Sequence, residues 1–282
     1  MDRLGFGWPR LQALNPRLIY AAVSGFGQTG PYSGRAAYDM VVQAMGGVMS
    51  LTGHGDGRPT RVGTSIGDIT AGLFATVGIL AALEARHRTG RGTMVDVAML
   101  DCQIAILENA IARYVATGQV PGPMGARHPS ITPFEALKAK DGHMVVAAGN
   151  DLLFAKLADA LGGPDLARDA RFATNDARTR NHDALKPALE ALLGARPVHE
   201  WLDLLERVGV PCGPINNVAQ ALADPQIAAR NMVVSSVDPA IGALKMAGNP
   251  IKLSGFADPP TRGAAPDLDA DRAAILKELG LG

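Results

Sequence analysis

Two side chains that can act as nucleophiles stand three positions apart in the segment GTSIGDITAG, residues 63–72. Ser65 lies in a Gly-x-Ser-x-Gly pattern, which in α/β-hydrolases places the serine on a strained turn between a strand and a helix. A helix is expected after Ser65, but the preceding residues DGRPTRV contain only one strand-forming apolar residue, Val62. Because no strand is predicted to deliver the serine, the hydrolase interpretation is the weaker one.

The second nucleophile, Asp68, stands at the start of a long apolar segment, and two interpretations of it remain open. An aspartate at a helix start is commonly the N-cap, whose carboxylate accepts backbone N–H bonds. The same helix end also favours an ionised carboxylate. Small neighbours, Gly67, Thr70 and Gly72, leave room for such a carboxylate to attack a carbonyl carbon and form a covalent acyl intermediate.

Three further residues precede this segment in loops or at helix starts. Gln28 lies in GFGQTGP, residues 25–31, whose glycine spacing suits a backbone loop near a phosphate or a thioester, although a tight turn is the more ordinary interpretation. Tyr38 and Asp39 open a predicted helix, where an aspartate usually serves only to favour the helix dipole.

The histidines and cysteines do not suggest a metal site. The sequence has no HExxH motif and no paired Cys/His spacing of the kind that binds a metal ion. His128 and Ser130 fall in ARHPS, at a predicted lobe junction. Two distant cysteines fit a reducing compartment and predict core residues rather than a disulfide framework. Four histidines are predicted to face solvent: His87, His143, His182 and His199.

The elements that must position these residues follow from apolar runs and their punctuation. Short apolar runs predict strands near residues 17–27, 93–100, 143–149 and 232–237. Helices are predicted over 38–53, 68–92, 101–118, 152–161, 178–193, 198–208 and 270–280, the second with an acidic start and a basic last turn. The apolar run at 73–83 is too short to span a bilayer comfortably and predicts a buried helix.

Alternating strands and helices predict an α/β fold, with an incomplete Rossmann-like parallel sheet and a smaller α+β lobe. The expected divisions are a large lobe over residues 1–120, a small lobe over 125–215, and a return segment over 216–282 that packs on the large lobe. The 27 basic residues equal the 27 acidic ones, so no global field favours nucleic acid or a membrane. The N-terminus has no secretory signal pattern, and a cytoplasmic location is expected.

Three long segments together resemble the family III CoA-transferases, which include formyl-CoA transferase, the carnitine CoA-transferase and α-methylacyl-CoA racemase. They are LNPRLIYAAVSGFGQTGPYSGRAAYDMVVQAMGGVMSLTG, GTSIGDITAGLFATVGILAALEARHRTGRGTMVDVAMLD and GVPCGPINNVAQALADPQ. Within that family, ARHPSITPFEALKAKDGHMVVAAGN is most similar to succinyl-CoA-dependent dicarboxylate transferases.

That resemblance implies that Asp68 is the catalytic aspartate. It implies attack on the donor thioester, a mixed anhydride, an aspartyl-CoA thioester, and transfer of CoA to a small dicarboxylic acid through a second anhydride. Gln28, Tyr38, Asp39 and Gly67 are then expected at the substrate or CoA. His128 and Ser130 are expected at the distal carboxylate, although arginine is the more usual carboxylate clamp. CoA is expected as substrate, without a bound cofactor.

The resemblance also leaves alternatives. The racemase subgroup has a histidine where this chain has Tyr38, and tyrosine is a poor base at neutral pH, which favours transfer over racemisation of a 2-methylacyl-CoA. Family members carry roughly a hundred further N-terminal residues, so a truncated, catalytically inactive binding partner is a third interpretation beside the hydrolase. The family fold is an interlocked dimer, so a homodimer is expected.

Overall fold

The computed structural model describes residues 1–281 and contains fourteen α-helices and eight strands in that range. A short 3₁₀ helix at Asp2–Leu4 precedes them. The strands are β1 Tyr20–Ser24, β2 Met94–Ala98, β3 Phe134–Lys138, β4 His143–Ala147, β5 Cys212–Pro214, β6 Val233–Asp238, β7 Gly242–Ala247 and β8 Thr261–Arg262. The helices are α1 Trp8–Leu14, α2 Asp39–Met45, α3 Val48–Leu51, α4 Ile66–Thr89, α5 Met99–Ala105, α6 Asn109–Thr117, α7 Asp151–Ala160, α8 Asp165–Arg168, α9 Asn175–Arg180, α10 His182–Leu193, α11 Val198–Arg207, α12 Val218–Leu222, α13 Pro225–Ala229 and α14 Arg272–Glu278.

Three sheets account for these strands. β1 pairs in parallel with β2, with Tyr20 opposite Met94 and Ser24 opposite Ala98. A second sheet has the order β3-β4-β5, and a third has the order β7-β6-β8, antiparallel between β6 and β7 and parallel between β6 and β8. The α/β class predicted from the sequence is therefore confirmed, with a parallel sheet of two strands.

Two compact units divide the chain. The first comprises Met1–Ala136 with Val146–Leu189, and the second comprises Leu137–Val145 with the chain from Glu190 onward. The boundaries of these two units differ from those of the three segments expected from the sequence. The three-part division stays a prediction. All the residues singled out for chemistry belong to the first unit.

The core beneath α4 is built from small and flexible side chains. Val42 of α2, Ala71 of α4, and Met99 and Cys102 of α5 form one buried cluster. Burial raises the pKa of the Cys102 thiol, as expected for a core cysteine. Because Ala71 presents only a methyl group, α2 and α5 pack closely on the first turns of α4.

The opposite face of α4 is apolar and open. Ile69, Leu73, Val77 and Leu80 recur at helical spacing and are 48 to 63% exposed. The prediction of a buried helix is therefore right for one face only. Among residues 1–281, α4 is the helix long and apolar enough to cross a membrane, a test of length and composition that core helices also pass.

Candidate active site

The start of α4 places Asp68 in the first helical turn. Ser65 occupies the N-cap position and makes no side-chain capping bond. Asp68 is the third helical residue and its side chain is exposed. The N-cap interpretation of Asp68 is thus wrong, because the helix begins two residues earlier than the carboxylate.

A different carboxylate holds this helix start. Asp39 is the first residue of α2 and is buried, with 9% of its surface exposed. Its Oδ1 accepts the backbone N–H of Gly67 at 2.8 Å, and its Oδ2 accepts Nε2 of Gln43 at 2.8 Å. Gln43 is fully buried, and its Oε1 accepts the backbone N–H of Val62 at 3.0 Å. Asp39 and Gln43 therefore tie α2 to the chain that enters α4.

The backbone donors of this first turn are nearly all used. The N–H of Ile66 bonds the Thr64 carbonyl and the N–H of Ile69 bonds the Ser65 carbonyl. Within the described chain, the N–H of Asp68 has no acceptor, and its carboxylate makes no hydrogen bond or ion pair. The helix start therefore presents one free donor and one free carboxylate, both from Asp68, at the end where the helix dipole favours negative charge.

Gly67 fits this site because it has no side chain. A Cβ at Gly67 would lie 2.8 Å from Cγ2 of Val42 and 3.0 Å from Oδ1 of Asp39. One turn further on, Thr70 donates to the Ile66 carbonyl at 2.7 Å and accepts Nε2 of the buried Gln103 at 3.3 Å. Close packing and this polar layer fix the backbone beneath Asp68.

The sheet places Asp68 at its carboxyl edge. Arg86, in the last turn of α4, bonds the Arg17 carbonyl before β1, so the helix C-terminus lies at the amino edge of the sheet. A 24-residue helix is about 36 Å long, and its first turn lies against Met99, which follows the carboxyl end of β2. Carboxyl edges are where open α/β sheets bind ligands.

Gln28 and Tyr38 are also exposed in this part of the first unit. The loop after β1 is held to β2 because the Gln28 N–H donates to Asp96 at 2.9 Å and the Leu100 N–H donates to the Gly25 carbonyl. Tyr38 caps α2 without a side-chain bond and is 82% exposed. Both side chains are accessible to a ligand.

His128 lies in a separate, tightly built loop. Its Nδ1 accepts the backbone N–H groups of Ser130 at 3.2 Å and Ile131 at 3.1 Å, and its ring stacks on Phe134 at 5.3 Å between centroids. Since Nδ1 accepts, the neutral imidazole carries its proton on Nε2, where it can donate to a ligand.

Helix α9 clamps this loop. Asn175 accepts the Thr132 N–H at 3.0 Å and donates to the Ser130 carbonyl at 2.8 Å. The fully buried Arg178 donates Nε to the Thr132 carbonyl at 2.6 Å and pairs with Asp151 at 2.7 Å. The loop geometry around His128 and Ser130 is therefore set by residues more than forty positions later.

The structure thus joins some of the predicted residues directly. Asp39 and Gly67 are hydrogen-bonded beside Asp68, whereas no hydrogen bond within residues 1–281 links His128 or Ser130 to that cluster. Sequence reasoning missed Gln43, although its i,i+4 spacing from Asp39 on a helix was an available signal. No cluster of metal-ligating side chains occurs in the part of the chain that the structure describes.

Comparison with known proteins gives concordant matches. The family described as CoA-transferase family III matches residues 1–272. The acetyl-CoA:oxalate CoA-transferase of Acetobacter aceti is 50% identical over 99% of this chain and 71% of its own length. The succinyl-CoA:glutarate CoA-transferase of Mus musculus is 35% identical over 99% of this chain and 64% of its own length, less than two thirds. The crystal structure of a CAIB/BAIF family protein from Brucella suis matches with a TM-score of 0.82 and 41% identity, over 99% of this chain and 72% of that chain.

Proposed function

This chain belongs to CoA-transferase family III, and on that premise we propose that it transfers CoA from an acyl-CoA to a small dicarboxylic acid, with Asp68 as the nucleophile. The observation that carries the proposal is the free carboxylate of Asp68, since Asp39 rather than Asp68 bonds the helix start. A nucleophile must be unencumbered to reach an electrophile, and this one is exposed.

The proposed first half-reaction consumes the donor. An Asp68 oxygen attacks the thioester carbonyl carbon, the C–S bond breaks, and a mixed anhydride and CoA thiolate form. The thiolate then attacks the aspartyl carbonyl carbon, releasing the donor acid as a carboxylate and leaving CoA on Asp68 as a thioester.

The second half-reaction reverses these bonds with the acceptor. The acceptor carboxylate attacks the aspartyl thioester, giving a second anhydride and CoA thiolate, and the thiolate attacks the acceptor carbonyl to form the new acyl-CoA and free Asp68. A carboxylate suits this chemistry because an anhydride remains activated for exchange, whereas a serine ester would hold the acyl group at the energy of an ordinary ester.

One group of this chain is proposed to stabilise the oxyanions, and another holds the helix start in place. The unpaired backbone N–H of Asp68 is available to an oxyanion that develops beside it. Asp39 acts as a positioning residue, because its carboxylate bonds the Gly67 N–H and the buried Gln43. Tyr38 and Gln28 are the exposed residues proposed to contact substrate or CoA.

The donor is proposed to be succinyl-CoA, with acetyl-CoA as a second candidate because the relative at 50% identity is an acetyl-CoA:oxalate transferase.

The decisive experiment incubates each donor with oxalate, glutarate and related dicarboxylic acids and follows the new acyl-CoA by chromatography. Hydroxylamine added during turnover should convert Asp68 to a hydroxamate detectable by peptide mass spectrometry. A labelled Ser65 would support the hydrolase alternative instead.

The racemase alternative makes a separate prediction. It requires solvent deuterium to enter the α-carbon of a 2-methylacyl-CoA in the absence of any acceptor acid. CoA transfer without such exchange would exclude it, and Tyr38 in the position of the racemase histidine favours that outcome.

The proposal extends to the assembly and to the compartment. The exposed apolar stripe Ile69, Leu73, Val77 and Leu80 on α4 supports a homodimer, which light scattering during size-exclusion chromatography tests. CoA serves as substrate without a resident cofactor, and the cytoplasm is the proposed compartment.

A further inference from the structure

A small cleft in the first unit lies between the start of α6 and the loop that leads to His128. Its volume is about 240 Å³, and its lining includes Glu108, Asn109, Arg113, Met124, Arg127 and Pro129. Nothing in the mechanism above uses this cleft. It lies directly beside the loop expected at the distal carboxylate, since Pro129 separates His128 from Ser130.

The two arginines in this cleft carry unused donors. Three buried side-chain nitrogen or oxygen atoms lack a hydrogen-bond partner among residues 1–281, and two of them are Nε of Arg113 and Nε of Arg127. Buried donors in proteins are nearly always paired, and one that is not calls for an explanation such as a ligand or a water. Both side chains line the cleft. That of Arg113 makes no hydrogen bond in the described chain, and that of Arg127 makes one, to the Thr179 carbonyl, so the pair keeps further guanidinium N–H donors for an acceptor.

The charge and size of the cleft define that acceptor. The lining has two guanidinium cations, Arg113 and Arg127, and one acidic residue, Glu108, so its formal net charge is one positive. Arginine binds carboxylates through paired N–H donors. A cleft of about 240 Å³ is below the range of roughly 300–1,000 Å³ typical of larger ligand pockets, which suits a small acid better than the nucleotide of CoA.

We propose that Arg113 and Arg127 bind the remote carboxylate of the dicarboxylic acid, an inference that rests on the proposed function and names its specificity-determining residues. In a two-step exchange the donor acyl group and the acceptor acid occupy the same place in turn. One carboxylate site therefore serves a dicarboxylic donor and a dicarboxylic acceptor alike, and an acid with a single carboxylate gains nothing from it.

Binding tested without turnover isolates this site. Glutarate and valerate, of equal chain length, are titrated by calorimetry into the whole chain carrying Asp68→Asn, with and without Arg113→Gln. Losing a charge-assisted bond should weaken glutarate binding about 10- to 100-fold and leave valerate unchanged. Arg230→Gln, which removes an exposed arginine of the second unit, is the matched control and should bind glutarate normally.

Kinetics and stability distinguish recognition from a structural role. Arg113→Gln in the otherwise unaltered chain should raise KM for glutarate with little change in kcat. It should not lower the melting temperature, because the Arg113 side chain makes no hydrogen bond or ion pair within the described chain. Arg127 also donates to the Thr179 carbonyl at 3.2 Å, so a neutral replacement would remove a structural bond as well. The second variant is therefore Arg127→Lys, which keeps the positive charge but lacks the planar guanidinium group. It should also weaken glutarate binding.

Several outcomes would overturn the assignment. One is undetectable glutarate binding to the Asp68→Asn chain, and another is equal glutarate affinity with and without Arg113→Gln. A third is a loss of CoA affinity in place of glutarate affinity, which would make the cleft a phosphate site. Failure of the proposed function looks different: arginine-dependent glutarate binding would persist while no donor supports CoA transfer.

Discussion

The backbone N–H of Gly67 donates to Oδ1 of Asp39 at 2.8 Å, although the two residues lie 28 positions apart. An aspartate in a first turn commonly bonds its own helix start. Here that bond is made by Asp39 from α2, and the carboxylate of Asp68 is left exposed. Asp39 thus holds the helix start, which leaves the Asp68 carboxylate available for the proposed reaction.

Asp68→Asn should abolish CoA transfer and hydroxylamine labelling, because an amide cannot form the anhydride. The fold should persist, with a free energy of unfolding within about 0.5 kcal/mol of wild type, since Asp68 is exposed and has no side-chain partner in the described chain. Transfer assays and urea unfolding measure the two effects. Retained transfer would remove Asp68 from the mechanism.

Ser65→Ala is the matched control at the neighbouring nucleophile. Ser65 makes no capping bond through its side chain, so both stability and transfer should remain close to wild type. A loss of acyl transfer comparable with that of Asp68→Asn would revive the hydrolase alternative.

Asp39→Ala should destabilise the protein and slow transfer together. It leaves the Gly67 N–H and the Gln43 amide without their acceptor, at a cost of about 2 kcal/mol or more. Asp39→Asn keeps one acceptor oxygen and should lose less stability than Asp39→Ala. Urea midpoints and kcat of both variants give the test, and an unchanged midpoint for Asp39→Ala would show that the helix start does not depend on Asp39.

Gly67→Ala should lower stability by about 1–3 kcal/mol, because the new methyl group would lie 2.8 Å from Val42 and 3.0 Å from Asp39. Gly72→Ala on the same helix meets nothing within 4 Å and should raise stability by up to about 1 kcal/mol through helix propensity. Thermal melts of the pair test the close packing, and equal shifts in both variants would contradict it.

Asp258 should make the second unit sensitive to acid. Lys252 at 2.5 Å and Arg262 at 2.8 Å lower the pKa of Asp258 from its ordinary 3.8 to about 2. The pKa of Asp258 is lower in the folded protein than in the unfolded chain. The stabilisation by its two ion pairs is therefore present above pH 4 and is lost as the pH falls from about 4 to about 2. Urea midpoints across this range should fall less steeply for Asp258→Asn, and parallel curves for both proteins would contradict the assignment.

Local patterns predicted the elements near the site but not the contacts between them. The apolar runs located β1, β2, β4 and β6, and the dipole pattern located α4. The run 101–118 was predicted as one helix, but the chain breaks near Glu108, whose φ is 49°, into α5 and α6. The N-cap interpretation of Asp68 is wrong because the helix begins at Ile66. The carboxylate that bonds the helix start, Asp39, comes from another helix, and no local window of sequence contains both aspartates.

The exposure of the histidines also depends on contacts between distant residues, which local patterns do not predict. His87, His143 and His199 are exposed as predicted. His182 was predicted to face solvent, but its side chain is 13% exposed and its Nε2 lies 2.8 Å from the buried Glu135. Glu135 belongs to a strand that the alternation of residues did not reveal, so the partner of His182 could not be anticipated.

The clamp of α9 on the His128 loop has a practical consequence for redesign. Asn175 and Arg178 bond the loop backbone at Ser130 and Thr132, so a segment from a relative that replaces residues 128–133 keeps these bonds only if its backbone follows the same path. Loop and clamp form one transplantable module whose two parts are distant in sequence. A chimera that carries both segments keeps the loop and its clamp matched.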